Sequence, residues 1–306
     1  MNPHKRKITI GIPTFNEEDN IMMFFESLKK QKMGTNVIDK ILFIDDSDDN
    51  TPHLIDRLKR ENPDLGIELH HNNKRMGAAN AWNTIFRKSG GSEVIVLLDA
   101  DIELDKNCVS NLSDRVNGTT GLCASNTMPI IQKNNKYSKA AALIAFWLRS
   151  LRLNRLSKYT TMGRALALYS QDVTDIEIPI DTIAIDLYIQ CKILEKHKDV
   201  VYNDNAIVYF KTPLNRSDFL SQVTRAMIGH RQISKYAKKF PLDVPFGILL
   251  KEFLKNSIQH PSYALALIYC YAILPYSYFK NKEKVSYLWD MATSTKQQVR
   301  KYKDHY

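Results

Sequence analysis

The sequence predicts an α/β protein built on a doubly wound, mostly parallel sheet with helices on both faces. Over the first hundred residues, short runs rich in Ile, Val and Leu alternate with segments whose apolar residues recur every three to four positions. Each short run ends in a polar or acidic turn, and no internal repeat interrupts the pattern. With 306 residues, 44% of them hydrophobic, the chain can fill the core of one large domain.

The first half predicts four strands, each followed by a helix. Asn16 can cap the first helix, and Pro52 stands where the second begins. The strands are predicted at 7–12, 40–44, 67–69 and 93–98. The helices are predicted from apolar faces made of Ile21, Phe24, Phe25 and Leu28, then of Leu54, Ile55 and Leu58, then of Ala78, Ala81, Trp82, Ile85 and Phe86, and finally of Val109, Leu112 and Val116.

The second half of the pattern is looser. It predicts strands at 121–130 and 205–211, a strand or turn at 163–170, and helices at 138–158, 182–196, 217–239 and 245–259. The helix at 138–158 combines an apolar face with four basic residues, Arg149, Arg152, Arg155 and Lys158. The interpretations that fit this helix are that it lies on a membrane surface, that its basic face meets an anion, or that it packs on the core with a solvated basic face.

Residues 261–279 carry no charge and contain five tyrosines, and Lys280, Lys282 and Lys284 follow. The stretch is at the short end for crossing a bilayer, and Pro275 would break a span near its end. Three interpretations therefore stay open: a transmembrane helix, an interfacial or re-entrant element, and a buried core helix.

Charge and cysteine usage narrow the class of protein. The net charge of +10 predicts an anionic partner, which could be nucleic acid, anionic lipid or the phosphates of a sugar nucleotide. No nucleic-acid-binding module is visible, and the first strand lacks the Gly-x-Gly-x-x-Gly of dinucleotide sites. The four cysteines lie far apart and the N-terminus carries no apolar signal region, so we expect a reducing, cytoplasmic location.

The fourth predicted strand runs directly into two carboxylates, Asp99 and Asp101. Open α/β sheets bind ligands at the carboxyl ends of their strands. Side chains at i and i+2 of an extended segment point the same way, so both carboxylates can reach one hard cation whose other ligands are phosphate oxygens. The alternative is a strand end closed by two solvated acids.

Four segments that follow the four strands resemble the family 2 inverting glycosyltransferases. They are 11–18 (Gly-Ile-Pro-Thr-Phe-Asn-Glu-Glu), 44–51 (Ile-Asp-Asp-Ser-Asp-Asp-Asn-Thr), 72–80, and Asp99-Ala-Asp101. The resemblance runs from about Thr9 to about Gln232 and implies the GT-A fold. Pro213, after the last predicted strand, marks the boundary between a catalytic domain at 1–213 and a helical region at 214–306. In that region we expect an acceptor-side helix at 217–239 and a membrane-associating segment at about 245–280.

The resemblance also implies roles for residues of these segments. A loop made by Pro13, Thr14, Phe15 and Glu17 is expected to hold the base and ribose of a nucleotide. Asp45 is expected to accept from a uracil ring, while Asp46 is interpreted as structural. The turn at 45–51 is one residue shorter than the common family version. Arg75 and Asn80 are expected near the donor, as is Lys74, although a solvated loop lysine fits Lys74 better. Asp99 and Asp101 match the Asp-x-Asp that binds Mn²⁺ or Mg²⁺, and Asp99 is also expected to contact the donor.

Two later segments add to the resemblance. Asp186, in Ile183-Ala-Ile-Asp-Leu, matches the catalytic base that takes the proton of the acceptor hydroxyl, with Asp181 or a helix-cap role for Asp186 as alternatives. Gln222-Val-Thr-Arg225-Ala226 is similar to the Gln-x-x-Arg-Trp of polysaccharide synthases and ceramide glucosyltransferases, with Ala226 in place of the tryptophan. Gln222 and Arg225 are thus expected to bind the donor. His230 is a further metal candidate, although a packed histidine is the more common case.

The sequence therefore predicts a metal-dependent inverting glycosyltransferase that uses a UDP-sugar. Its acceptor is expected to be a lipid or a lipid-linked sugar at the cytoplasmic face of a membrane, with peripheral or single-pass attachment to an anionic surface. Alternatives are a polysaccharide-synthesising or polyprenyl-phosphate glycosyltransferase and, in a different class, a non-catalytic sugar-nucleotide-binding membrane protein.

Overall fold

A computed structural model of the protein describes residues 5–131, 134–154, 163–272 and 288. Its strands are β1 (Arg6–Thr14), β2 (Asn36–Asp45), β3 (Ile67–His71), β4 (Val94–Leu98), β5 (Ile102–Leu104), β6 (Thr120–Ile130), β7 (Ala165–Tyr169) and β8 (Asp199–Lys211). Its helices are α1 (Ile21–Lys29), α2 (Thr51–Glu61), α3 (Ala78–Lys88), α4 (Cys108–Ser113), α5 (Lys136–Leu153), α6 (Ile185–Glu195), α7 (Arg216–Ala237), α8 (Phe246–Gln259) and α9 (Pro261–Ala272).

The strands form one sheet in the order β3-β2-β1-β4-β7-β6-β8-β5. β1 to β4 are parallel, as the alternation of strands and helices predicted. The other half is mixed, because β7 runs antiparallel to both β4 and β6, and β5 runs antiparallel to β8. The expectation of a doubly wound parallel sheet is therefore right for the first half only. Strand direction in the second half depends on pairings between distant segments, which local periodicity does not report.

Helices cover both faces of the sheet. One apolar cluster joins Phe24, Phe25, Ile55 and Val109 to one face, and a second joins Trp82, Ile85, Ile189 and Ile193 to the other. The predicted faces of α1, α2 and α3 are buried as expected. The predicted cap of α1 is wrong. Asn16 has a left-handed backbone (φ 54°), and its side chain accepts from the backbone N–H of Asp48 instead of starting the helix.

The helix α5 is packed within the protein. Leu143, Ala145 and Leu151 are buried, Arg149 forms a bidentate pair with Asp204 (2.8 and 2.7 Å), and Arg152 is 2% exposed. The described part of this helix is thus neither a membrane-surface helix nor a helix with a solvated basic face. Arg155 and Lys158 lie outside the described residues.

The two helices α8 and α9 pack on α5, and Ala266, Leu267 and Cys270 of α9 join a third apolar cluster with Leu143 and Phe219. Of the stretch predicted at 261–279, the structure describes the part up to Ala272; the rest, with Pro275 and the lysines after it, lies outside the described residues. Among the described helices, none has both the length and the apolar character to cross a bilayer. Cys108, Cys123, Cys191 and Cys270 are all buried free thiols.

Candidate active site

Two adjoining clefts lie at the carboxyl ends of β1, β2 and β4. The first, of about 590 Å³, is bordered by Asp99, Asp101 and Asp186, and we call it the acidic cleft. The second, of about 530 Å³, lies between the loops after β1, β2 and β3 and is called the loop cleft. Both are bordered by Phe15, Asp46 and Arg75, so they form one continuous depression. A ligand with two chemically different ends could occupy both.

The two carboxylates after β4 face a guanidinium that the sequence pattern did not predict. Arg164 Nη1 lies 3.4 Å from Asp101 Oδ1 and 4.0 Å from Asp99 Oδ2, and its guanidinium stacks over Phe210 at 4.4 Å from the ring centroid. Arg164 immediately precedes β7, and its carbonyl accepts from the Asp99 N–H (2.9 Å). The antiparallel pairing of β4 and β7 therefore places this cation beside the acids.

Several neighbouring carboxylates affect the pKa of Asp99. Burial raises the pKa of Asp99 well above its usual value, the charges of Asp101, Glu17 and Asp186 raise it further, and Arg164 opposes the shift. A second cation near these acids is Lys211, which is buried and donates to Asn20 Oδ1 (2.7 Å). Burial lowers the pKa of Lys211, whereas Asp101 and Glu17 raise it. The cleft thus concentrates negative charge that cations only partly offset.

Asp186 lies in the first turn of α6 and borders the acidic cleft. Burial raises the pKa of Asp186, while the backbone N–H groups of Leu187 and Gly163 and the charge of His230 oppose the shift. A Cβ on Gly163 would lie 3.2 Å from Asp186 Cβ, so the segment before β7 approaches the carboxylate closely. Asp181 has an exposed side chain and does not border the cleft, so of these two acids Asp186 is the one that a molecule in the cleft would meet.

The loop before Asp186 is held by α7. Gln232 Oε1 accepts from the Ile183 N–H (2.8 Å), and Gln232 Nε2 donates to the Asp181 carbonyl (2.8 Å). Gly229 allows the close approach, since a Cβ there would lie 2.9 Å from Ala184 Cβ. Sequence reasoning missed Gln232 and Gly229, because their roles come from contacts with a segment some 45 residues earlier.

The two acids at the end of β2 lie in different surroundings, and only Asp45 departs from its predicted role. Asp45 is fully buried and borders neither cleft; its carboxylate accepts from the hydroxyls of Thr14 and Ser47 (2.6 Å each) and lies 2.7 Å from His71 Nδ1. Asp46 borders both clefts, and its carboxylate accepts from Asn72 Nδ2 and from the N–H groups of Met76 and Gly77. Asp46 is thus structural, as expected, but it anchors the loop after β3.

Most of the other predicted donor residues border the clefts. Pro13, Thr14, Phe15 and Glu17 line the acidic cleft, and the Arg75 guanidinium lies 3.8 Å above the Phe15 ring. Lys74 is exposed, and neither Lys74 nor Asn80 borders a cleft. Gln222, Arg225, Ala226 and His230, from successive turns of α7, border the acidic cleft. Asn72 in the loop cleft belongs to the segment 72–80 that is expected to lie near the donor, whereas His71, at the end of β3, was not predicted.

The residues present fit a divalent cation only in part. Asp99 and Asp101 supply two carboxylates, the hard oxygen donors that Mg²⁺ and Mn²⁺ prefer. Across the described residues, no group of three His, Cys, Asp or Glu side chains could hold a metal ion, so His230 does not complete such a site with Asp99 and Asp101. Any ion there would need further oxygen ligands from water or from a bound molecule.

Several solved glycosyltransferase structures share this fold. The mannosyltransferase PcManGT from Pyrobaculum calidifontis, in complex with GDP-Man and Mn²⁺, is 20% identical and has a TM-score of 0.60 over 92% of this chain and 81% of that one. Residues 1–349 of S. aureus TarS, in complex with UDP, give 15% identity and a TM-score of 0.52 over 94% and 95%. Glucosyl-3-phosphoglycerate synthase from Mycobacterium tuberculosis gives 13% and 0.51 over 77% and 80%. The fold of this protein, a mixed sheet between helices with acids at the strand ends, is therefore the GT-A fold.

The family follows from the sequence itself. The model of glycosyl transferase family 2 matches residues 9–175, more than half of the chain. The chain belongs to glycosyl transferase family 2. No curated protein sequence matches it.

Proposed function

We propose that the protein is a metal-dependent inverting glycosyltransferase that moves a sugar from a nucleotide sugar, most suitably a UDP-sugar, to a lipid or lipid-linked acceptor at the cytoplasmic face of a membrane. The observation that carries this proposal is that Asp99, Asp101 and Asp186 border one cleft that continues into a second, loop-lined cleft. The two connected clefts together thus offer places for a nucleotide, a diphosphate and a reacting sugar.

The donor is proposed to span both clefts. In the loop cleft, Phe15 and His71 offer ring surfaces for a base, and Arg75 lies where the two clefts meet. Asp99 and Asp101 would hold Mn²⁺ or Mg²⁺ together with phosphate oxygens. When bound, such an ion supplies positive charge to the departing diphosphate. Gln222 and Arg225, one helical turn apart on α7, are proposed to contact the donor from the opposite wall.

Asp186 is proposed as the catalytic base. An inverting transfer needs a carboxylate that accepts the acceptor hydroxyl's proton while the oxygen attacks the sugar. The raised pKa of Asp186 supports this role, because a more basic carboxylate accepts a proton more readily. Its exposure to the cleft lets a substrate hydroxyl reach it.

The acceptor is proposed to carry an apolar part. The helices α5 and α7 line the acidic cleft with an apolar stretch beside their polar residues Arg152, Gln222, Arg225 and His230, and this stretch consists of Ala141, Ile144, Ala145, Leu148, Phe219, Val223 and Ala226. Such a stretch binds a hydrocarbon chain better than it binds a sugar polymer, because its own side chains offer no hydrogen-bonding groups. This supports a lipid or lipid-linked acceptor over a growing polysaccharide.

The test is to measure UDP release and sugar transfer with a panel of UDP-sugars, with GDP-mannose as the contrasting donor, in the presence and absence of membrane lipid. Asp101→Asn should abolish turnover without lowering the melting temperature. Asp186→Asn should still bind UDP but lose transfer by about two to four powers of ten. Asp181→Asn is the matched control, and full transfer by it is expected. Wild-type turnover that survives a chelator would remove the metal from the proposal.

A further inference from the structure

The helix α8 exposes large apolar side chains and buries polar ones, which is the reverse of an ordinary surface helix. Four large apolar side chains recur every four residues along its outer side: Phe246, Leu250, Leu254 and Ile258 are 76%, 44%, 50% and 79% exposed. Its buried residues are Glu252 and Asn256, at 4% and 5% exposure. A surface helix in water normally buries its apolar stripe and exposes its polar residues. The outer side of α8 is therefore suited to an apolar medium.

Contacts with α5 fix α8 in this orientation. Asn256 Nδ2 donates to Ser150 Oγ (2.9 Å), and Trp147 Nε1 donates to the Leu249 carbonyl (3.1 Å). The rings of Trp147 and Phe253 pack edge to face with centroids 5.4 Å apart. Turning the apolar stripe inward would break all three contacts. The exposure of the stripe is thus part of the packed structure.

The next helix extends the apolar surface. In α9, Leu265, Ile268, Tyr269 and Tyr271 are 70%, 61%, 48% and 43% exposed, while Ala266, Leu267 and Cys270 pack against α5 and α7. We call the eight exposed apolar side chains of α8 and α9 the outer apolar face. Soluble monomers rarely expose this many large apolar side chains on two neighbouring helices.

The charges around the outer apolar face indicate what covers it. Within α8 and α9 the charged side chains are Lys251, Glu252 and Lys255, and Asp243 stands three residues before α8. Lys251, Lys255 and Asp243 are exposed, and Glu252 is buried. The exposed charges on the two helices themselves are thus both basic. Together with the tyrosines among the apolar residues, they match the headgroup region of an anionic bilayer.

We propose that the outer apolar face is the surface by which this protein docks onto an anionic lipid bilayer. The inference rests on the membrane location in the proposed function and assigns it to particular side chains. It also connects the membrane to the site, because α5 contacts α8 and α9 on one side and lines the acidic cleft through Ile144 and Leu148 on another. An acceptor leaving the bilayer would meet the apolar stretch of that cleft after crossing one helix layer.

The test is co-sedimentation of the full chain with phosphatidylcholine vesicles with and without phosphatidylglycerol, in the absence of donor. The wild type should bind the anionic vesicles, and added salt should weaken binding. Leu254→Glu/Ile258→Glu should lower the partition coefficient at least about tenfold. Val37→Glu/Ile180→Glu, which adds the same charge at exposed apolar residues elsewhere, should bind as the wild type does. Lys251→Gln/Lys255→Gln leaves the apolar stripe intact and should reduce binding to anionic vesicles only.

Three outcomes would overturn the docking surface: wild-type protein that ignores anionic vesicles, a Leu254/Ile258 variant that binds them normally, or a wild-type dimer that this variant dissociates. The last would assign the face to a second copy. UDP release without lipid is measured on the same proteins and should be unaffected by the α8 changes. Vesicle binding without any donor turnover would keep the docking surface and reject the proposed function, and the reverse result would do the opposite.

Discussion

At the scale of single residues, the main electrostatic feature of the site is the repulsion between carboxylates that lie close together. Three carboxylates lie close enough to Asp99 to raise its pKa: Asp101, Glu17 and Asp186. Like charges at such distances repel one another, and burial adds to that cost. Arg164 and Lys211 offset part of it. The empty site therefore stores an unfavourable interaction that a cationic ligand would relieve.

Replacing Asp186 should reveal this cost in the pH dependence of stability. Because its folded-state pKa is raised, Asp186 contributes stability that is present below the unfolded-state value of about 3.9 and is lost as the pH rises through the folded-state pKa. Asp186→Asn imitates the protonated form, so it should melt at a higher temperature than the wild type at neutral pH. The advantage should vanish near pH 4, as thermal melts across the pH range can show.

The control for that experiment is Asp181→Asn, which removes an exposed carboxylate five residues earlier and should leave the melting temperature nearly unchanged. If Asp186→Asn were less stable than the wild type at neutral pH, the N–H groups of Leu187 and Gly163 would stabilise the carboxylate by more than burial destabilises it. The ionised Asp186 would then not lower the stability of the folded protein at neutral pH, contrary to our expectation for a functional group held at a cost in stability.

Removing Arg164 should free the acidic pair for a cation. Arg164→Ala is expected to bind Mn²⁺ roughly two- to fivefold more tightly in the absence of nucleotide, because a partly exposed ion pair of this kind contributes modestly. Calorimetric titration with Mn²⁺ alone measures this directly. Arg149→Ala also removes a paired arginine, the partner of Asp204, and should not change Mn²⁺ affinity. Weaker Mn²⁺ binding by Arg164→Ala would mean that Arg164 organises the carboxylates instead of competing for them.

At the scale of secondary-structure elements, two long-range contacts assemble the site. Pairing of β4 with β7 brings Arg164 to the acids, and docking of α7 on the segment before α6 orients Asp186. Neither contact leaves a local pattern in the sequence. The acids that carry the proposed chemistry stand at a strand end and a helix start, where the motifs of the family resemblance indicate them. Those that hold them in place, such as Gln232, are visible only after folding.

The docking of α7 can be tested at Gly229. Gly229→Ala places a methyl group 2.9 Å from Ala184 Cβ, so α7 or the 183–184 segment must shift and move Asp186 with it. We expect transfer to fall about ten- to a hundredfold while UDP affinity is retained, because small displacements of a base strongly affect the rate. Single-turnover kinetics and UDP titration separate the two effects.

A matched control for this change lies in α8. Gly247 has open space around its Cβ position, and an alanine there should stabilise the helix by about 0.5–1 kcal/mol without changing transfer. If Gly229→Ala transferred sugar at the wild-type rate, close docking of α7 would not be needed to position Asp186.

At the scale of the whole molecule, the sequence was informative where structure is local. The alternation up to Leu98 predicted β1 to β4 and their helices, and Asp99 and Asp101 were singled out by their position after β4. Asp186 was indicated by the resemblance to the family. The three-residue strand β5 was missed because it follows Asp101 directly and is too short for a period to show. The burial of Asp45 could not be foreseen, since His71 and Thr14 reach it from other strands. The boundary at residue 213 stays a prediction.

The relation between the α/β domain and the C-terminal helices gives the last prediction. Buried apolar residues of α9 cover Leu143 of α5 and Phe219 and Leu220 of α7, and those helices also line the acidic cleft. A chain ending after Lys239 would expose these side chains to water. We therefore expect the truncated protein to melt at a lower temperature and to aggregate, whereas a detachable membrane anchor would leave a soluble and stable domain. Light scattering and thermal melts of both forms, with and without detergent, distinguish these outcomes. A monodisperse truncated protein with the melting temperature of the full chain would show that α8 and α9 serve only the membrane.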